Sequence, residues 1–168
     1  MVFRWTPAQA SGMRKPPQLE HLARLVGRWT TEATHPAVPG VTVHGTVEVE
    51  WLEGEWFLIH RGRTDHPDFP DSIWLIGNTD VDRVDDGNAS APTRLRAHYF
   101  DSRGVFRVYE VSADAHAWRW WRDAPGFAQR FIGTFADGGD TIVGVSQLSR
   151  DNAHWDDDLK ITYRRVIK

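Results

Sequence analysis

Arg107 and Tyr109 stand two apart in Val105-Phe106-Arg107-Val108-Tyr109-Glu110-Val111, a segment that reads as a β-strand. Residues two apart on a strand share a face, so these side chains point the same way, with Val105 and Val111 beside them. Upstream, Leu95, Ala97 and Tyr99 alternate in the same manner; downstream, so do Trp118 and Trp120. If the three sets face inward, Tyr99, Tyr109, Trp118 and Trp120 surround one guanidinium. An apolar, aromatic cavity with a few convergent polar groups is the usual form of a small-molecule site, and guanidinium pairs bidentately with a carboxylate. The opposite phase turns Arg107 toward a surface acid such as Glu110 or Asp101, because a slip of one residue exchanges the faces of a strand. Arg130, which follows Pro125-Gly126-Phe127 and Gln129, is expected at the cavity mouth or as cover for its rim.

The chain holds eight His: His21, His35, His44, His60, His66, His98, His116 and His154. No two sit at the i, i+2 or i, i+4 spacing that puts a ligand pair on one strand or helix face, so no metal is expected. His60 ends an apolar run and His98 lies within a strand, which makes them the candidates for an acid/base or a ligand. The plainer reading of each is a core or outward-facing imidazole. Asp156-Asp157-Asp158 lacks the alternate spacing and the glycine of a calcium loop and reads as a solvated turn. Ser149, Asp151 and His154 crowd into one turn with no elbow or oxyanion framework, which argues against a hydrolase triad.

The elements that position these residues are mostly strands. Leu19, Leu22 and Val26 recur three and four apart behind Pro16-Pro17, which predicts one short helix over 18–26, ended by Gly27. From Trp29 onward the period is two. Val41, Val43, Val47, Val49 and Trp51 alternate with polar residues as a half-buried strand does. Further strands are expected over 56–61, 73–76, 95–100, 105–111, 117–122, 129–135, 141–148 and 159–166. Their connectors are rich in Gly and Asp, as in Asp101-Ser102-Arg103-Gly104 and Asp137-Gly138-Gly139-Asp140, the chemistry of hairpin turns. A polar loop spans 82–93, and residues 1–17 read as a loose N-terminal arm. About ten strands joined mostly by short turns predict an all-β, antiparallel, up-and-down barrel over 18–168, since closure removes the sheet's edges.

Composition narrows the function classes. The 168 residues carry a net charge of −3 with both signs mixed along the chain, which argues against a nucleic-acid surface. With no Cys, disulfides, thiolate metal sites and a cysteine nucleophile are excluded. No secretory h-region and no membrane-spanning apolar run is present, so a cytoplasmic protein without membrane insertion is expected. Nine Trp mark either an aromatic pocket or the large side chains a wide barrel needs to fill it.

Leu25-Val26-Gly27-Arg28-Trp29 resembles the Gly-x-Trp signature on the first strand of lipocalins and their calycin relatives, in which the Trp plugs one end of the barrel. The second half resembles a family of uncharacterised bacterial proteins classed as a domain of unknown function. The residues that carry this likeness run from Tyr99-Phe100-Asp101-Ser102-Arg103-Gly104-Val105 through Trp118, Trp120, Arg122-Asp123-Ala124-Pro125-Gly126-Phe127 and Gln129-Arg130-Phe131 to Trp155 and Tyr163-Arg164-Arg165. That resemblance, over roughly residues 18–168, implies a calycin-like barrel and no established activity. In fatty-acid-binding relatives of such a fold, interior Arg and Tyr hold a carboxylate. A more distant similarity is to nitrobindins, ten-stranded barrels that bind haem through a His just before the last strand. Asp158 stands at that position here, with His154 earlier in a polar turn. No cofactor is therefore expected, and haem enters only with an enzyme reading.

Three functions follow as expectations. The first is a barrel that binds a small, largely apolar ligand, anionic or aromatic, through Tyr99, Arg107, Tyr109, Trp118, Trp120 and Arg130. The second is an enzyme, an isomerase, a cyclase or a haem protein, using the same cavity with His60 or His98 as acid/base or axial ligand. The third is a packed barrel acting through its surface, for example as a homodimer.

Overall fold

Of the chain, a computed structural model describes residues 17–78 and 94–167. The expected arm, apart from Pro17, and the polar loop over 82–93 lie outside the described residues. Pro17 opens helix α1 (Pro17–Leu22), a position where its fixed φ and missing N–H cost nothing. The expected helix tightens after Leu22 into one 3₁₀ turn, Ala23–Leu25, and ends at Val26, whose backbone is extended. Leu19, Leu22 and Leu25, three apart, are all buried.

Ten strands follow: β1 (Gly27–Thr34), β2 (Val43–Trp51), β3 (Phe57–Thr64), β4 (Ser72–Asn78), β5 (Leu95–Asp101), β6 (Phe106–Ala113), β7 (Ala117–Arg122), β8 (Ala128–Ala136), β9 (Thr141–Ser149) and β10 (Asp156–Arg165). Each pairs antiparallel with its sequence neighbour, and β1 pairs with β10 to close the barrel. Inward residues alternate as the sequence pattern requires: Trp29, Thr31 and Ala33 on β1, then Val43, Val47 and Val49 on β2, are buried while their neighbours face solvent.

Helix α1 and the following turn cover one end of this barrel. Trp29 lies beneath them, donating from Nε1 to the Leu25 carbonyl at 2.8 Å. The Gly27 backbone has φ +136°, and a Cβ there would sit 2.7 Å from Arg165 Nη1, so the position admits only glycine without strain. On the far wall, Gly133 and Gly144 face each other across β8 and β9. The Trp118 and Phe131 rings lie so close to this bare backbone that a Cβ on Gly133 would be 2.5 Å from Trp118 Nε1 and one on Gly144 2.6 Å from Phe131.

One expectation is overturned at the last strand. Asp156-Asp157-Asp158 is not a turn: β10 begins at Asp156, and its register with β9 shifts between Asp157 and Lys160. A bulge of this kind re-aims side chains, and Asp158 lines the open end of the barrel.

Candidate ligand-binding site

Two chambers occupy the barrel away from the helix. A mouth chamber of about 460 Å³ includes Arg107, Tyr109, Gln129 and Asp158 in its lining. An inner chamber of about 210 Å³ includes His60, Trp118, Phe131 and Tyr163. Trp74, Tyr99 and Trp120 wall both. Strand register explains how they connect, since His60 pairs with Trp74, Trp74 with Tyr99, and Tyr99 with Arg107. These four side chains form one inward row across β3 to β6, from imidazole to guanidinium.

The walls are rings in contact. Trp74 stacks on Tyr109 at 5.2 Å and meets Tyr99 edge-on at 4.8 Å. Tyr109 meets Trp120 at 4.8 Å, and Trp120 lies parallel to Phe131 at 5.2 Å. Offset and edge contacts of this kind align the negative ring face of one with the positive edge of another.

Arg107 is turned inward and half-buried, one of the two phases that the alternation leaves open. Its Nη1 donates to Gln129 Oε1 at 3.2 Å, and its guanidinium lies 4.6 Å over the Phe127 ring. Tyr109 Oη donates to the same Gln129 oxygen at 2.8 Å. Burial raises the Tyr109 hydroxyl pKa above its ordinary value, partly offset by the Arg107 hydrogen bond and charge. Among the described residues no carboxylate pairs with Arg107. Glu110 faces out and takes Arg96 at 3.0 Å, while Asp101 is occupied by the hairpin that joins β5 to β6.

That hairpin is built on the Asp101 carboxylate, whose side chain is fully buried. It accepts from Tyr99 Oη at 2.8 Å, Arg103 Nη2 at 2.7 Å, and the backbone N–H groups of Arg103 and Val105 at 2.9 and 3.2 Å. Burial alone pushes the Asp101 carboxyl up, but these donors outweigh it and hold it well below the usual carboxylate range. Burial, and then the bond to Asp101, push the Tyr99 hydroxyl far above its ordinary value. Tyr99 therefore contributes its ring to the cavity and its hydroxyl to the turn.

Across the mouth, His35 Nε2 meets Asp158 Oδ1 at 2.9 Å, and Ser146 Oγ donates to Asp158 Oδ2 at 3.3 Å. The Ala37 N–H donates to His35 Nδ1 at 3.0 Å, which leaves the proton of the neutral ring on Nε2, facing Asp158. His35 also meets Phe69 edge-on at 5.6 Å, joining the β1–β2 and β3–β4 loops at the rim.

His60 is 7% exposed, and its Nδ1 has no hydrogen-bond partner. Burial lowers its pKa to about 4, so the imidazole is neutral at pH 7. Trp118 Nε1 is likewise buried without a partner.

Two candidates stand elsewhere. His98 shares its strand face with Arg96 and Phe100, pairs with Leu75 and Val108, and lies 6.0 Å from the Phe106 ring, so it is on the outside of the barrel. Arg130 is exposed on the outer face, donating to Gln147 at 2.8 Å and lying 4.1 Å over the Trp155 ring. The phase of β8 causes this: Gln129 and Phe131 are buried, so Arg130 between them points out. Sequence reasoning missed Gln129, whose alternation with Phe131 was the available signal, and also His35 and Asp158. Ser149 and His154 both bond to Asp151 rather than to each other, at 3.2 and 2.6 Å. Among the described residues no group of His, Asp and Glu forms a metal site.

No family model matches the chain, and no curated protein matches it. Solved structures do match. One is the crystal structure of Rv2717c from M. tuberculosis, with a TM-score of 0.61 and 14% identity over 92% of this chain and 100% of that one. At that identity the likeness establishes the fold alone. It supplies no ligand. The haem that the nitrobindin resemblance implies does not fit the residues at the corresponding place, because both Asp158 oxygens are engaged by His35 and Ser146 and both His35 ring nitrogens are taken.

Proposed function

We infer that the barrel binds a small, largely apolar ligand that carries one carboxylate. Its apolar part lies among Trp74, Tyr109, Trp118 and Trp120, and its carboxylate meets Arg107. The observation that carries this reading is the guanidinium itself, turned into an aromatic cavity and held by a neutral amide instead of an acid. A charge drawn partly out of water calls for a counter-charge, and a guanidinium offers paired donors to one. Affinity for the rest of the ligand comes from apolar burial at about 25 cal/mol per Å², less the cost of association.

The test is calorimetry with a phenylalkanoate and its carboxamide, on the native protein and on Arg107→Met. The native protein is expected to favour the acid by about tenfold or more, and the variant to lose that preference. Equal weakening of acid and amide by the variant overturns the role of Arg107.

An enzyme reading draws on His60, an imidazole inside the cavity. With its pKa lowered to about 4, however, it is a weak base at neutral pH, where proton transfer favours groups matched to the medium. A substitution that abolished turnover while sparing binding would favour catalysis. A surface reading draws on Ile73, Phe100 and Phe106, paired in one row on the outer face and all exposed. Sedimentation as a dimer that Phe106→Lys dissociates would support it.

A further inference from the structure

Gln129 stands at a position that calls for an acid. Its Oε1 accepts from Arg107 Nη1 at 3.2 Å and from Tyr109 Oη at 2.8 Å. Across β7 and β8 it pairs with Arg122. Arg122 donates to the Phe127 carbonyl at 3.2 Å and, like Arg107, pairs with no carboxylate among the described residues. Burial raises the Tyr109 pKa, and the charges of both guanidiniums act against it, so both cations reach this spot. A glutamate of the same shape would meet two cations and a hydroxyl donor, and bonds to a charged acceptor are the stronger ones. The neutral amide leaves the Arg107 charge without an internal partner.

The amide also has a second end. A guanidinium only donates, so the atom that meets Arg107 is the amide oxygen, and Nε2 lies on the other side of the same carbon. Tyr109 Oη, bonded to that oxygen as well, holds the amide in this orientation. Gln129 is 8% exposed, and its Nε2 makes no hydrogen bond among the described residues. Unlike His60 Nδ1 and Trp118 Nε1, this nitrogen is not sealed from the surface. Gln129 lines the mouth chamber and not the inner one, so Nε2 opens onto the mouth. Donors on two adjoining side chains suit the two oxygens of a carboxylate. A carboxamide would set its own NH₂ against one of them.

We propose that Gln129 is the residue that makes the mouth chamber selective for a carboxylate. Its neutrality leaves the Arg107 charge free for the ligand, and its Nε2 is the second donor to the bound anion. Tyr109 is a positioning residue that fixes which end of the amide faces the chamber. The proposal rests on the carboxylate reading of Arg107 and adds the side chain that decides between an acid and its neutral analogue.

The test is calorimetry at neutral pH with a short series of phenylalkanoates and the matching carboxamides. Each is titrated into the native protein, Gln129→Glu, Gln129→Met and Arg107→Met, and the quantity read is the affinity ratio of acid to amide. That ratio is expected at about tenfold or more in the native protein and about one in Gln129→Glu, where the new carboxylate occupies Arg107. Gln129→Met keeps the guanidinium free but removes Nε2, and should bring the ratio to about threefold. A ratio that stays at the native value in either Gln129 variant overturns the proposal. If Arg107→Met then abolishes it, the Arg107 reading stands by itself. A native ratio of about one, or failure of every compound to bind at millimolar concentration, overturns both. A second measurement uses the native protein alone and does not depend on the variants folding. The phenylalkanoate should shift the Gln129 side-chain amide resonances by more than the carboxamide does. Equal shifts from both, or a bound acid that leaves these resonances in place, overturn the proposal.

Discussion

The Arg165 guanidinium lies 4.1 Å over the Trp29 ring and joins the last strand to the turn that precedes the first. It donates to the carbonyls of Val26 at 2.6 Å, Arg24 at 2.8 Å and Gly139 at 3.2 Å, and to Asp140 at 2.9 Å. One planar cation thus satisfies carbonyls left over at the end of the helical turn and completes the covered end of the barrel. Arg165→Met is expected to destabilise the fold by about 2–4 kcal/mol, through carbonyls stripped of donors and a lost cation–π contact. Arg165→Lys should recover little of this, since an ammonium cannot stack and fork at once. Urea denaturation measures both, and a loss below about 0.5 kcal/mol would falsify the assignment.

Acid should expose the burial of His60. Its folded pKa of about 4 lies below the ordinary 6.5, so between these values the unfolded chain takes up a proton that the folded chain refuses. Stability is unaffected above pH 6.5, falls as pH drops through the window, and levels off below 4, a loss of about 3 kcal/mol. In His60→Phe that segment of the stability curve should flatten. Asp101, Asp114 and Asp151 are held below the usual carboxylate range and give up their stabilisation only at still lower pH. A window of unchanged slope in the variant would assign the acid limb to another group.

The bare backbone at Gly133 leads to a steric prediction. A methyl there would lie 2.5 Å from Trp118 Nε1 and 2.9 Å from the Phe131 ring. Gly133→Ala should therefore push the indole into the inner chamber, costing about 1–3 kcal/mol and weakening ring-bearing ligands more than unbranched alkanoates. A variant with native stability and native affinity for both would show that the rings have room to retreat.

Asp101 predicts a local effect. Its carboxylate gathers donors from Tyr99, Arg103 and Val105 into one buried position. Asp101→Ala leaves those donors without an acceptor and should cost about 3 kcal/mol. Hydrogen exchange should accelerate first in the β5–β6 hairpin. Uniform acceleration over the whole barrel would instead mean that the turn opens only with global unfolding.

The barrel and half of the site could be read from residue order. Where one face is buried and the other wet, as in Val43 to Trp51, period two is plain and fixes the phase. Arg107 was legible only as a choice between two phases: Tyr109 and Val111 share its face, but Phe106 and Val108 make the other face apolar too, so alternation leaves its direction open. The β3 segment Trp56-Phe57-Leu58-Ile59-His60 has apolar residues on both faces, so nothing in it distinguishes Leu58 and His60, which are buried, from Phe57 and Ile59, which are less so. Asp158 was illegible for a different reason. Its direction depends on the register shift in β10, a property of two strands together, and no single segment encodes it. Arg130 was misplaced because a cation near a Pro-Gly turn suggests a rim, whereas its position between two buried neighbours decides the matter.

Among the described residues the helix covers one end of the barrel and the mouth chamber lies at the other, and a ligand entering there would meet a fixed sequence in time as well as an orientation in space. In the proposed reading, the apolar part among Trp118 and Trp120 would lead on the way in and trail on the way out, and the carboxylate beside Arg107 would follow last and depart first. The contact most easily screened by dissolved ions is then the one that breaks at the start of release. Residence would be governed at the rim, while the fit of the apolar body is decided at depth.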